Sequence, residues 1–138
     1  MIAWLIVALA QAGDPVSLTV DVEGLRNRAG VAQLALFRTA DGYPQHAELA
    51  ARTRTVPIEL PTTVVTFDDL EPGTWALAVL HDENGNGRLD TNLLGVPKEG
   101  IGASREATRR LGEPRFEDAR FEVGASDLHL RVAMKYWL

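Results

Sequence analysis

The chain has no cysteine. That excludes a disulfide framework, a thiolate nucleophile and any zinc site built on sulfur. Basic charge is also scarce. Fourteen Lys and Arg stand against nineteen Asp and Glu, a net charge of −5. The one local basic group, Arg105, Arg109 and Arg110, is followed closely by acids. Nucleic acid and anionic membranes both require a basic surface, so neither is an expected partner. No apolar run reaches the ~20 residues that a membrane-spanning helix needs. Helical periodicity is weak as well. PQHAELAAR and SREATRRL, the second with Ser104 as N-cap, each suffice for two helical turns. Neither supports the crossovers of a parallel α/β sheet. There is no G-x-x-x-x-G-K-[ST] phosphate loop, and Ser104 lacks the G-x-S-x-G elbow of a hydrolase nucleophile.

What is present is the composition of one globular domain: 138 residues, 46% hydrophobic and 24% charged. The first residues, MIAWLIVALAQAG, form a short uncharged apolar run that ends in Ala10-Gln11-Ala12. An apolar run closed by small residues reads as a secretory signal peptide over residues 1–12. The mature domain is then residues 13–138, periplasmic or extracellular, with no membrane span after cleavage.

The dominant period along that domain is two. Leu18, Val20 and Val22 alternate with polar residues, as do Val56, Ile58 and Leu60, then Val65 and Phe67, then Phe121 and Val123. Leu128, Leu130, Val132, Met134 and Tyr136 give the longest alternation. VAQLALF reads as a second strand. WALAVLHD is apolar on both faces, with Trp75, Leu77, Val79 and His81 on one of them, which marks a central strand. About seven strands separated by turns predict an all-β fold: a single antiparallel Greek-key β-sandwich, transthyretin-like or immunoglobulin-like. One long irregular segment, from Asp82 to about Arg115, interrupts it, and such a loop is often functional or requires something to hold it.

That segment opens with HDENGNGRLD. From Asp82 the pattern is D-x-N-x-N-G-x-L-D, with oxygen-bearing side chains at positions one, three, five and nine and glycine at six. A hard cation such as calcium takes about six to eight oxygens at about 2.3–2.6 Å, and alternate residues of a tightly curled loop converge in this way. The predicted ligands are Asp82, Asn84, Asn86, the backbone carbonyl of Arg88, and Asp90. Position twelve is Leu93 rather than the bidentate glutamate of an EF-hand, and no helices flank the loop. Glu99 is the candidate for the missing carboxylate, with Asp90 and Asn92 as nearer alternatives. The competing reading is a solvated turn, because Asn-Gly pairs are favoured in turns for backbone reasons alone.

Of the three histidines, His46 and His129 read as surface residues. His81 ends an apolar face and is expected to fix the loop by a hydrogen bond. A sharper reading makes it a catalytic base or transition-metal ligand. Trp75 reads as core, whereas Trp137 is placed to cover an exposed edge.

Three blocks, VEGLRNRAGVAQLALFRTADGYP, FDDLEPGTWALAVLHDENGNGRLDTNLLGVPKEGIGAS and PRFEDARFEV, resemble the DUF2141 family of exported bacterial proteins. The resemblance implies a signal peptide, a sandwich related to transthyretin-like and carboxypeptidase-regulatory-like domains, and no established activity. GIGAS departs from the family pattern, which tends to an aromatic followed by asparagines, so that stretch is assigned no role in a site. The functional expectation is an exported, monomeric, non-enzymatic module. Its loop is ordered by calcium, and it binds an unidentified protein or small molecule at the cell envelope. The alternative is a metal-dependent hydrolase using Asp82, Glu99 and His81. A carrier of a small hydrophobic ligand is a third reading that rests on fold analogy alone.

Overall fold

A computed structural model describes residues 15–109 and 113–138. The signal peptide expected over residues 1–12 lies outside the described residues, as do Arg110 and Leu111 of the second helical candidate. Eight strands follow in order: β1 (Val16–Glu23), β2 (Val31–Phe37), β3 (Arg52–Pro57), β4 (Thr62–Leu70), β5 (Gly73–Asp82), β6 (Gly100–Ala103), β7 (Phe121–Val123) and β8 (Leu128–Ala133). They form two sheets, one ordered β4-β1-β8 and the other β3-β2-β5-β6, with β7 pairing to the first residues of β5.

The sheets pack face to face through the side chains that the alternation singled out. Leu18, Val20 and Val22 of β1, with Val65 and Phe67 of β4, meet Leu34 and Leu36 of β2 and Trp75, Leu77 and Val79 of β5 in one cluster. The opposite face of the first sheet is wet. There Asp21 and Glu23 pair with His129 and Arg131 on β8. The all-β sandwich follows from this pattern, but one feature of the expectation is corrected: β1 and β8 run parallel, in register from Leu18↔Leu128 to Glu23↔Ala133. Alternation fixes which face a residue takes. It does not fix strand direction.

Other expectations shift locally. The alternation through Leu60 ends early, for β3 stops at Pro57 and Leu60 is exposed. PQHAELAAR yields a single 3-10 turn, Ala47–Leu49. SREATRRL does not make a regular helix, because Arg105 and Glu106 adopt left-handed φ of 56° and 55°. Ser104 is not a cap. Its fully buried hydroxyl accepts the Leu77 N–H at 2.9 Å and donates to the Ala119 carbonyl at 2.6 Å. The register Ala78↔Ala103 puts Ser104 where the ladder would continue. Its side chain therefore replaces a backbone partner as the chain turns away toward the short helix α1 (Phe116–Ala119).

Strand β6, within the segment expected to be irregular, has the sequence GIGA. Its glycines are needed for close approach. A Cβ on Gly100 would lie 2.4 Å from the Tyr136 ring, and one on Gly102 would lie 2.6 Å from Val132. Beyond β8 the chain reaches this edge, where Ile101 and Lys135 exchange backbone hydrogen bonds of 3.0 and 2.8 Å. The C-terminal residues thereby reach the side chain of His81.

A candidate metal-binding loop at the end of β5

β5 is central, hydrogen-bonded to β2 on one side and β6 on the other. Its last two residues send their side chains opposite ways, as strand geometry requires. His81 points inward and is fully buried. Its Nε2 lies 2.8 Å from the Ala29 carbonyl, which can only accept, so Nε2 carries the proton. In the neutral ring Nδ1 then accepts from the Tyr136 hydroxyl at 2.7 Å. That hydroxyl in turn accepts the Arg26 N–H at 3.1 Å. Both ring nitrogens are thus committed, and the ring ties the β1–β2 turn to the C-terminal segment.

Asp82 begins the loop and is 2% exposed. Its Oδ1 accepts the Asn86 N–H at 3.1 Å and its Oδ2 the Gly87 N–H at 2.7 Å. This curl requires positive φ at Gly87, 83°, which a side chain would strain. Asn84 and Asn86 direct their amide groups at one carboxylate, Asp90: Asn84 Nδ2 lies 2.7 Å from Oδ2 and Asn86 Nδ2 lies 2.9 Å from Oδ1. These bonds hold the Asp90 carboxyl below its ordinary range. Arg88 is exposed, and its contribution is an N–H donated to Asn86 Oδ1 at 3.1 Å.

Glu99, nine residues beyond Asp90 in sequence and outside the loop's repeat, arrives by a hairpin. The Lys98 N–H bonds the Asp90 carbonyl at 2.8 Å, the Asn92 N–H bonds the Val96 carbonyl at 2.9 Å, and Thr91 pairs with Pro97. The chain thus runs out and back, and Glu99 returns beside Asp90. Only 4% exposed, it accepts the Glu83 N–H at 2.7 Å on Oε2 and the Asp90 N–H at 3.2 Å on Oε1, stapling both arms of the loop. Burial raises its pKa, and those two N–H groups oppose the rise. Asn92 is spent on the hairpin, where its Oδ1 accepts from Leu94 and Val96. Leu93, at position twelve, is fully exposed near the hairpin tip.

The predicted residues Asp82, Asn84, Asn86, Asp90 and Glu99 are therefore linked by one hydrogen-bond network. Among the described residues, no group of three or more His, Cys, Asp or Glu side chains is already spaced to hold a metal ion. Two supporting residues were not legible from the local pattern. Arg26 makes a two-pronged ion pair with Glu83 at 2.7 and 3.1 Å, bonds the Lys98 carbonyl at 3.1 Å and lies 4.5 Å over the Tyr136 ring. Tyr136 orients His81 from 55 residues away. Their partners are distant in sequence, and no spacing rule reveals them.

No helix among the described residues is long and apolar enough to cross a membrane. No curated protein and no solved structure matches the chain. A family model, described as an uncharacterized protein conserved in bacteria (DUF2141), matches residues 20–131 and so spans both sheets and the loop. The chain belongs to the DUF2141 family.

Proposed function

We propose that this protein is an exported, non-enzymatic β-sandwich module whose 82–99 excursion closes around a calcium ion, in a binding or structural role at the cell envelope. The observation that carries the reading is the return of Glu99. A hairpin brings a buried carboxylate back to the loop that begins with buried Asp82, and Asp90 lies beside it. The three carboxylates and two amides are the hard-oxygen set calcium takes. A half-turn of the Asn84 and Asn86 amides would offer oxygens in place of NH2 groups. Magnesium, which prefers to keep its waters, suits such a multidentate set less well.

The hydrolase reading is disfavoured by His81. Fully buried, and bonded through both nitrogens, it has no free nitrogen to act as a base toward Asp82 or Glu99. Export rests on the apolar leader and its small-residue end.

Calorimetric titration of the full domain with calcium chloride tests the reading. One ion per chain is expected for the wild type, and none for folded Asp82→Ala. Equal heats from the two proteins would reject the loop as the site.

A further inference from the structure

We infer that the outer face of the β2–β5–β6 sheet holds a second site, a cavity for a small, uncharged, mainly apolar molecule. A sheet face normally carries side chains large enough to pack against whatever covers it. On this face the register partners are Ala35 and Ala78, with Ala76 and Ala103 beside them. One half of the alanine floor is filled from above. Tyr43 and Phe116 stack edge-to-face at 5.9 Å, Tyr43 and Phe37 at 5.2 Å, and Ala76, Ala103 and Ala119 pack beneath. The other half is only partly filled, by Phe37, Tyr43 and Ala47 packed against Ala35 and Ala78. Over Ala35, Ala78 and Leu80 lies a cavity of about 340 Å³. That is near the lower end of the ~300–1,000 Å³ found for small-molecule sites.

Its walls come from four separate segments, one of them Glu113 and Pro114. Pro44 and Ala47 stand on one side, and Leu89, Val96 and Pro97 of the hairpin excursion on another. Trp137, with Lys135 5.1 Å from its ring, contributes an indole from the C-terminal segment. The polar groups are few: Gln33, Gln45, Thr91 and Glu113, with the Gln45 amide donating to the Glu113 carboxylate. Among the described residues, no Lys, Arg or His lines the cavity. The one charged side chain in the described lining is the Glu113 carboxylate, so an uncharged ligand suits the cavity better than an anion. An apolar ring system suits the alanine floor and the indole, and the side-chain amides can orient one hydroxyl or amine substituent.

The test uses N-phenyl-1-naphthylamine, an uncharged bicyclic fluorophore, titrated into the full domain. Titrations are run both in chelator and in millimolar calcium, so the cavity is tested whether or not the loop holds an ion. Saturable binding of one molecule per chain is expected in at least one condition. Ala78→Leu and Ala35→Leu fill the floor and should each weaken it by about tenfold or more while the fold melts cooperatively. Trp137→Ala, at an edge and outside the core, should weaken binding even if the floor variants fail to fold. The sulfonated analogue 8-anilinonaphthalene-1-sulfonate should bind about tenfold more weakly than the neutral probe. Absence of saturable binding, equal binding by all variants, or preference for the sulfonate would overturn the inference.

Discussion

Glu99→Gln is the most revealing single change to the loop, because its effect can be worked out without any ion. The carboxylate is 4% exposed and accepts two backbone N–H groups, from Glu83 at 2.7 Å and Asp90 at 3.2 Å. Glutamine keeps one acceptor oxygen and turns its NH2 toward the other donor, so one charge-assisted bond is lost and two donors oppose each other. Such a bond contributes about 1.5–3 kcal/mol. Against this, removing a buried charge relieves the desolvation that raises the Glu99 pKa. The net cost in chelator is about 1–2 kcal/mol, a fall in Tm of about 3–8 °C for a domain of this size. Glu99→Ala leaves both N–H groups without this acceptor and should cost more, about 2–4 kcal/mol. Urea denaturation in chelator, read from the midpoint at constant slope, measures both. If both variants lose less than about 0.5 kcal/mol, water satisfies those N–H groups and Glu99 is not the staple described here.

Tyr136→Phe removes the donor to His81 Nδ1 and the acceptor of the Arg26 N–H, and should cost about 1–3 kcal/mol by urea denaturation. No loss would show that the network is not formed in solution. Ser104→Ala orphans the Leu77 N–H and the Ala119 carbonyl in a fully buried setting, at about 2–4 kcal/mol. Stability within about 0.5 kcal/mol of wild type would contradict the ladder-replacement role of that hydroxyl. Arg26 holds the Glu83 pKa below its ordinary value. The ion pair's contribution is thus fully present above the unfolded glutamate pKa and is lost as pH falls through the lower folded value. Because Arg26 is 36% exposed, that contribution is at most about 1 kcal/mol and weakens with salt. Glu83→Gln should remove this part of the acid dependence of Tm, and an identical pH profile for variant and wild type would refute the assignment.

The part of the fold visible in the sequence was the part with period two. Leu18, Val20 and Val22, and the doubly apolar β5, announced their faces because burial on a pleated strand leaves that trace. β6 left none, since Gly100 and Gly102 are small to admit Tyr136 and Val132, a requirement set by residues about 30 positions away. The parallel pairing of β1 with β8 was hidden because a side-chain pattern carries no strand direction. SREATR looked helical by composition, yet Ser104 is held by β5 and α1, and that tertiary demand bends Arg105 and Glu106 into left-handed backbone. At the loop, the in-phase oxygens and Gly87 were legible as local chemistry, and Glu99 only as a candidate, because its position depends on the hairpin. Arg26 and Tyr136 act through contacts that span the chain and have no local signature. The cavity depends on how far side chains from distant segments cover the face around Ala35, Ala78 and Leu80, which alternation cannot express.

Whether the 82–99 excursion binds calcium is read from the melting temperature of the folded domain in calcium, compared with the same protein in chelator. An ion that binds only the native state adds RT ln(1 + [L]/Kd), about 2–3 kcal/mol at a hundredfold excess over Kd. At about 3–5 °C per kcal/mol, the expected rise is roughly 6–15 °C. The rise should be absent in Asp82→Ala and Glu99→Gln. Superimposable melting curves for the wild type in calcium and in chelator would contradict that binding.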